Sequence, residues 1–260
     1  MSESRSETLP LDPELVRRAA AAIRGARALV FSAGAGMGVD SGLPDFRGSQ
    51  GFWRAYPVYR HLRLDFASMA NPRWFEEDPA FAWGFYGHRL NLYRATQPHA
   101  GFGVLRRLAT AAPGGAFVFT SNVDGQFQRA GFSEDQIVEC HGSIHHLQCL
   151  DGCGQPLYAA AGVEVVVDEE TMRARAPLPT CPRCGGLARP NILMFGDAGW
   201  DDARTNEQED ALRRFLDRAG GALCVIECGA GLAIPTVRAF SERAARGGTL
   251  VRINVRDPQV

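Results

Sequence analysis

Short apolar runs alternate with longer amphipathic stretches along most of the chain. The runs that are typical of strands buried on both faces are residues 28–31, 116–119, 223–226 and 250–253. The amphipathic stretches 207–218 and 236–246 predict helices, and Asp12 followed by Pro13 predicts a helix start. This order of elements predicts an α/β fold with a doubly wound, parallel, Rossmann-like sheet.

Two segments interrupt this rhythm. Residues 50–95 are crowded with aromatic residues and arginine, and residues 143–197 contain four of the 7 cysteines. We interpret the first as a helical insertion and the second as an insertion that carries the cysteines and a substrate-contacting segment. The remaining parts of the chain would form the Rossmann-like domain: residues 12–49, 96–142 and 198–260.

The overall charge is close to neutral, with 28 basic and 29 acidic residues in 260. A net charge of -1 supplies no general field for binding nucleic acid or an anionic membrane. No stretch approaches the roughly 20 apolar residues of a membrane span, and the polar start lacks the apolar core of a secretory signal. We therefore expect a cytoplasmic protein with no membrane or nucleic-acid partner.

Four cysteines form two close pairs, which are Cys149 with Cys153 and Cys181 with Cys184. In a reducing compartment such pairs indicate metal ligands more often than disulfides. The spacing predicts one zinc ion held by four thiolates, a closed structural arrangement without an open position for water. Unligated thiols are the weaker alternative.

A glycine-rich loop follows the first apolar run. Gly34, Gly36 and Gly38 give G-x-G-x-G, and Val39 occupies the place of the third glycine in the G-x-G-x-x-G of hydride-transfer sites. Pro-Asp-Phe-Arg follows at 44–47. The loop can present backbone amides to a diphosphate, and the alternative is a simple strand-to-helix turn.

Further motifs follow the other predicted strands. Thr-Ser-Asn-Val-Asp at 120–124 directly follows the second apolar run, and His141-Gly142 follows a short strand-like stretch. By itself an Asn-x-Asp sequence most often indicates a turn, and a single histidine before glycine is more often structural than catalytic. The segments 189–197 and 229–235 read RPNILMFGD and GAGLAIP.

In combination, these motifs resemble the sirtuins. The family's GAGxSxxSGIPDFRG, Q-N-I-D, H-G, R-P-x-V-V-x-F-G-E and G-T-S-L-x-V-x-P occur here in the same order, and the resemblance runs from Ala28 to Asn254. It implies NAD-dependent removal of acyl groups from protein lysines, with nicotinamide and O-acyl-ADP-ribose as products. The partners would be proteins with acylated lysines.

The resemblance also implies roles for individual residues. His141 would be the general base on the ribose hydroxyls. Asn122 would hold the nicotinamide ribose and a water, and Asp124 the nicotinamide carboxamide. The implied NAD contacts are Gly34, Ala35, Gly36, Asp45, Phe46, Arg47, Ser121, Asn122, Asp124, Gly229, Ala230, Gly231 and Asn254. Met194, Phe195 and Gly196 would contact the substrate peptide, as an extended segment that pairs with it by β-strand addition.

The match to the family pattern is not complete, since Gly38 stands at the serine position and Leu43 at the isoleucine of the first motif, and three further departures fall among the implied NAD contacts. Ser121 replaces a glutamine, and Ala230 and Gly231 lack the hydroxyls of Thr and Ser. They leave two alternatives open. One is an enzyme that transfers ADP-ribose to protein or hydrolyses NAD, and the other is a non-catalytic sensor of ADP-ribose or NAD. His141 argues against the sensor.

A final motif concerns the acyl group. Tyr86 and Arg89, three positions apart on one face of a predicted helix, resemble the Tyr-x-x-Arg pair of desuccinylating sirtuins. Because a guanidinium offers a fork of donors to a carboxylate, the pair predicts acceptance of succinyl- or malonyl-lysine besides acetyl-lysine. The alternative is a solvated arginine on a helix whose aromatic residues face the core.

Overall fold

The computed structural model describes residues 11–44, 48–255 and 257–259. The α-helices are α1 Pro13–Gly25, α2 Gly48–Ala55, α3 Pro57–His61, α4 Phe66–Met69, α5 Arg73–Glu77, α6 Pro79–Ala95, α7 Ala100–Ala111, α8 Gln126–Arg129, α9 Ala203–Ala219 and α10 Thr236–Ala244. The strands are β1 Ala28–Ala33, β2 Ala116–Thr120, β3 Ile137–Glu139, β4 Gly142–Cys149, β5 Tyr158–Ala159, β6 Val167–Asp168, β7 Arg173–Ala174, β8 Ala188–Ile192, β9 Leu223–Cys228 and β10 Thr249–Ile253. Short 3₁₀ helices occupy Ala35–Ser41 and Glu134–Gln136. Within the described ranges, none of the helices combines the length and the apolar composition needed to cross a membrane.

The largest sheet in the described part of the chain has five parallel strands in the order β10-β9-β1-β2-β3. The central strand β1 pairs with β2 on one side and with β9 on the other, so that Val30 is in register with Phe117 and Val225. All residues of these three strands are buried, as the continuous apolar runs predict. The prediction of an α/β fold with a parallel, Rossmann-like sheet is confirmed.

Helices cover both faces of this sheet. On one face, α1 and α7 contribute Ile23 and Phe102 to the apolar core. On the other face, α9 and α10 contribute Phe215 and Phe240, and the ring of Phe240 stacks on Phe119 with centroids 3.8 Å apart. The sheet is therefore doubly wound, and in such folds ligands bind outside the carboxyl ends of the strands.

Helix boundaries follow capping signals where the sequence contains them. The Asp12 side chain accepts a hydrogen bond from the first turn of α1 at 2.8 Å, so this helix begins where it was predicted. In contrast, α9 begins at Ala203, ahead of the predicted start at Glu207. Its first turn is held by tertiary contacts, because the Thr205 hydroxyl donates to the Glu139 carbonyl at 3.2 Å.

The segments 50–95 and 143–197 share one apolar core outside the main sheet. A small sheet of order β5-β4-β8 and the β6-β7 hairpin belong to this part of the molecule. The indole of Trp83 is completely buried there and donates to the Ala188 carbonyl of β8 at 2.9 Å. The division of the chain into separate domains at these boundaries stays a prediction.

Two glycines fix the position of α6 in this core. A Cβ on Gly84 would lie 1.9 Å from the Met172 carbonyl oxygen, and one on Gly87 would lie 2.4 Å from a Val165 methyl. Both would displace the chain that packs on the helix. Tyr86 lies beside Gly87 on this helix, so close packing of the glycines determines where its side chain is placed.

Candidate active site

A cleft of about 370 Å³ lies at the carboxyl edge of the main sheet and extends to α6 and to the segment after β8. The turns after β1, β2 and β9 form its sheet side, because carboxyl ends of parallel strands meet at one edge. The predicted site residues that line it are Gly34, Ala35, Gly36, Tyr86, Arg89, Ser121, Asn122, Asp124, His141, Met194, Phe195, Gly229, Ala230 and Gly231.

The other predicted cofactor and substrate residues are placed differently. Gly196 follows the lining residues with a φ of +72° and is not itself part of the lining. Asn254 is not part of the lining, but its Nδ2 donates to the carbonyl of the lining residue Ala230 at 2.7 Å. The predicted NAD-contacting residues Asp45, Phe46 and Arg47 lie outside the described residues.

Two glycine turns form the wall by backbone contact. The Gly36 amide donates to the Gly229 carbonyl at 3.0 Å, and the Gly34 amide donates to the Cys228 carbonyl at 3.1 Å. At Gly229 the φ is +64°, and a Cβ would lie 2.3 Å from the Met37 amide nitrogen. Only glycine fits there, and the turns present main chain rather than side chains to a ligand.

A chain of hydrogen bonds anchors Asn122. Its side-chain Nδ2 donates to the Gly34 carbonyl at 3.1 Å, and its amide donates to the Thr120 hydroxyl at 3.0 Å. That hydroxyl in turn donates to the Ala33 carbonyl at the end of β1, at 3.0 Å. The amide side chain is therefore held against the glycine turn.

His141 stands at the same edge, just after β3. Its carbonyl accepts a hydrogen bond from the Leu193 amide at 3.0 Å, which joins it to the segment after β8. Burial lowers the pKa of the His141 imidazole, and a hydrogen bond to the Ser121 backbone opposes this shift in part. The ring is consequently neutral at pH 7, which is the state that a general base requires.

Asp124 is nearly inaccessible to solvent. Burial raises the pKa of its carboxyl to about 6, while a hydrogen bond from the Gln126 amide to Oδ1, at 3.0 Å, opposes the rise. His145 Nε2 lies 3.0 Å from the Asp124 carbonyl oxygen and holds its main chain. At neutral pH the carboxylate is mainly ionised and can accept a hydrogen bond from an amide ligand.

The far end of the cleft contains a buried cation. Arg89 is only 6% exposed, and its Nε and Nη2 both donate to the Tyr93 hydroxyl, at 3.0 and 2.8 Å. The guanidinium also lies 5.8 Å from the Tyr86 ring centroid. Within the described residues, the buried Tyr86 hydroxyl has no hydrogen-bond partner. Arg89 is therefore not the solvated arginine of the alternative interpretation.

The segment predicted to contact the substrate is only partly strand. Regular pairing of β8 ends at Ile192, short of the predicted extended run. The amides that follow are already paired within the chain, since Met194 donates to the Asp197 carboxylate at 3.2 Å and Phe195 to the Ala70 carbonyl at 2.9 Å. Met194 is buried and Phe195 is 43% exposed at the cleft. Peptide pairing at this segment stays a prediction.

The four paired cysteines converge away from the cleft. Sγ of Cys149 lies 3.6 Å from that of Cys184, Cys153 lies 3.6 Å from Cys181, and all four sulfurs are within 4.8 Å of one another. A tetrahedral zinc ion with Zn–S bonds of roughly 2.3 Å places its sulfurs about 3.8 Å apart. The cluster could therefore hold one zinc ion, and none of its four cysteines lines the cleft.

Sequence reasoning missed several residues of this site. Tyr93 is four positions after Arg89 on α6, a spacing that places both side chains on one helix face and was visible in the sequence. His145 contacts Asp124 only because β4 folds back beside the turn after β2, and Phe66 and Ala70 line the cleft through α4. No spacing signal identifies these three.

Fold and site together define a class of protein. It is a doubly wound α/β protein whose cleft is built from glycine turns, a neutral histidine and a buried carboxylate, and which has a four-cysteine cluster outside the cleft lining. Comparison with known proteins is consistent with this class. A model of the Sir2 family matches residues 34–214. The chain therefore belongs to the Sir2 family, and the prediction of a sirtuin is confirmed.

Individual relatives cover most of the chain. The NAD-dependent protein deacylase of Methylococcus capsulatus is 30% identical over 239 residues, which are 90% of this chain and 84% of the relative. NAD-dependent protein deacylase 1 of Pseudomonas aeruginosa is 32% identical over 234 residues, 89% of this chain and 84% of the relative. A solved structure of a Sir2 homologue in complex with NAD is 26% identical, with a TM-score of 0.64, and the match covers 94% of this chain and 83% of that one.

Proposed function

We propose that this protein removes acyl groups from protein lysines with NAD as the co-substrate. Membership of the Sir2 family and the names of the two deacylase relatives support this function. The observation that carries it is the position of His141, whose neutral imidazole shares one cleft with both glycine turns and with Met194 and Phe195. A dinucleotide and an acyl-lysine peptide can meet only where such elements share a wall.

Each group in the cleft has a defined task in this reaction. When bound, NAD supplies a ribose carbon whose bond to nicotinamide breaks as the acyl oxygen of the substrate attacks it. Asp124 would accept the carboxamide N–H, and Asn122, fixed by the Gly34 carbonyl, would orient the ribose. His141 would accept the proton of a ribose hydroxyl, which its lowered pKa allows at neutral pH.

Mass spectrometry of an acetyl-lysine peptide incubated with NAD tests the function. We expect deacylated peptide and nicotinamide in equal amounts from the wild type, and a rate about 10²- to 10⁴-fold lower for His141→Ala, because a general base contributes that range. His61→Ala, at an exposed position on α3, is the matched control and should retain wild-type activity.

Two results would reject the proposal in favour of its alternatives. Nicotinamide release without peptide deacylation would identify an NAD glycohydrolase or an ADP-ribosyltransferase, in line with the altered residues Ser121, Ala230 and Gly231. Tight binding of ADP-ribose without any turnover would identify a nucleotide sensor.

The acyl preference follows from the far end of the cleft. We infer that Arg89 and Tyr86 take the carboxylate of a succinyl or malonyl group, so that the enzyme accepts acidic acyl chains as well as acetyl. The Tyr86 hydroxyl is buried without a hydrogen-bond partner among the described residues, which is costly against an apolar ligand. The Arg89 guanidinium, buried at the same end of the cleft, has the charge and the donor geometry that a carboxylate requires. An acidic acyl chain would supply an acceptor for the hydroxyl and a counter-charge for the guanidinium.

Comparison of succinyl and acetyl peptides tests this preference. Because charged hydrogen bonds contribute roughly 1.5–3 kcal/mol, Arg89→Met should lower kcat/KM for the succinyl peptide by about 10- to 100-fold. The acetyl value should change far less. Arg107→Met, on the exposed side of α7, is the control for loss of an arginine. An unchanged ratio of the two substrates in Arg89→Met would exclude the role of Arg89.

A further inference from the structure

One buried arginine lies directly behind the second glycine turn. Arg238 of α10 is 8% exposed, its Nε donates to the Ala230 carbonyl at 3.2 Å, and its Nη2 donates to the Asp257 carbonyl. Within the described residues, no carboxylate forms an ion pair with it. The Arg238 guanidinium therefore lies next to a residue of the cleft wall, with backbone carbonyls as its hydrogen-bond acceptors.

The Ala230 carbonyl accepts a second donor. Asn254 Nδ2 lies 2.7 Å from the same oxygen, so two side chains from different elements fix the direction of this carbonyl. The peptide bond between Ala230 and Gly231 is trans. In a trans peptide the following N–H points opposite to the carbonyl. The Gly231 N–H is therefore directed away from the Ala230 carbonyl and its two donors, and Gly231 itself lines the cleft.

The surroundings of Gly231 match an amide that faces a ligand. A Cβ built on this residue would meet no atom within 4 Å, so the space beside it is open. The start of α10 adds to the positive potential, because Val237 in its first turn lines the same cleft. An anion at this point would contact a fixed backbone donor and would be close to a helix N-terminus and a buried guanidinium.

We propose that Arg238 is a positioning residue for the diphosphate of the dinucleotide. It acts through the Ala230 carbonyl, holds the Gly231 amide toward the phosphate, and supplies charge from behind the turn. Ala230 and Gly231 have no hydroxyl groups, so this turn offers only its main chain to the phosphate. This inference rests on the proposed use of NAD.

Binding of ADP-ribose measured by calorimetry tests the inference without requiring turnover. Arg238→Met should raise the Kd for ADP-ribose and the KM for NAD by about 10- to 100-fold, the range for loss of charge-assisted contacts. The kcat at saturating NAD and the KM for the peptide should stay within about threefold. Arg238→Lys retains charge without the fork and should show an intermediate loss. Arg243→Met, exposed on the same helix, is the control.

A second ligand separates positioning from general support of the fold. Adenosine, which lacks phosphate, should bind wild type and Arg238→Met with equal affinity. An equal loss for adenosine and ADP-ribose, or an unchanged Kd for ADP-ribose, would overturn the inference. Arg238→Gln can replace Arg238→Met if the latter does not fold, with the same expectations. If the wild type neither binds ADP-ribose nor consumes NAD, the proposed function itself fails. This result is distinguishable from an Arg238→Met variant whose Kd for ADP-ribose equals that of an active wild type.

Discussion

Replacing Asp197 by alanine would remove one partner of a completely buried ion pair. The side chains of Arg189 and Asp197 are 3% and 0% exposed, and two parallel hydrogen bonds join them, one of which measures 3.0 Å between Nη1 and Oδ1. The carboxylate also accepts the Met194 amide at 3.2 Å, and Arg189 Nη2 donates to the Ile192 carbonyl at 3.2 Å. The pair therefore stabilises the turn that carries Met194, Phe195 and Gly196, the residues predicted to contact the substrate peptide.

The expected loss in the free energy of unfolding can be estimated from these contacts. An uncompensated buried charge costs about 3–5 kcal/mol. The orphaned Met194 amide adds about 1 kcal/mol. Asp197→Ala should thus lose about 4–6 kcal/mol, a large part of the roughly 5–15 kcal/mol typical of a domain. Arg189→Met combined with Asp197→Ala should lose clearly less than the sum of the single variants, because no charge is left unpaired.

Urea unfolding followed by tryptophan fluorescence measures the free energy of unfolding of each variant. Trp83 is a suitable probe, because its indole donates to the carbonyl of Ala188, the residue before Arg189. The KM for the peptide should rise in Asp197→Ala at temperatures where the protein stays folded. A loss below about 1 kcal/mol, or a double variant as unstable as the sum of the single variants, would refute the reasoning.

Three further predictions concern the metal, the base and the acyl end. Elemental analysis should find one zinc per chain. The substitution Cys184→Ser, or a strong chelator, should release this zinc and lower the unfolding temperature. Active wild-type protein without bound metal would contradict the assignment of a zinc site. Burial places the pKa of His141 below the ordinary 6.5. The kcat/KM should therefore be constant above pH 7 and should fall as the pH drops through this pKa, because the protonated imidazole cannot act as a base. An inflection of the profile above pH 7 would argue against His141 as the base. Tyr93→Phe removes the acceptor of two Arg89 hydrogen bonds. It should lower kcat/KM for the succinyl peptide about tenfold and change kcat/KM for the acetyl peptide little. Equal losses of kcat/KM for both peptides would indicate general damage to the fold.

The sheet and the position of the site follow from local sequence signals. Apolar runs indicate buried strands without reference to distant residues, and a parallel sheet must align their carboxyl ends. Motifs that directly follow such runs, at Gly34, Asn122 and Gly229, therefore had to meet at one edge. His141 was located by the same argument.

Contacts made by packing across distant segments could not be predicted in this way. The hydrophobic pattern along the chain does not indicate that the two insertions share one core, or that β4 brings His145 to the Asp124 carbonyl. The extended segment at Met194 and Phe195 was implied by the resemblance, which cannot show that the amides of both residues are hydrogen-bonded within the chain. Likewise, nothing in the sequence distinguishes Arg238 from other helix residues, and only the fold shows that it contacts the Ala230 carbonyl in a glycine turn.

The fate of the acyl group tests the central claim most directly. A peptide whose lysine carries a ¹³C-labelled acetyl group would be incubated with the protein and NAD, and the products followed by mass spectrometry. If the cleft around His141 joins an acyl-lysine to the ribose of NAD, the label should appear on ADP-ribose, with one nicotinamide formed for each lysine released. Label recovered as free acetate from the first turnovers, or nicotinamide formed while the peptide stays acylated, would contradict the account.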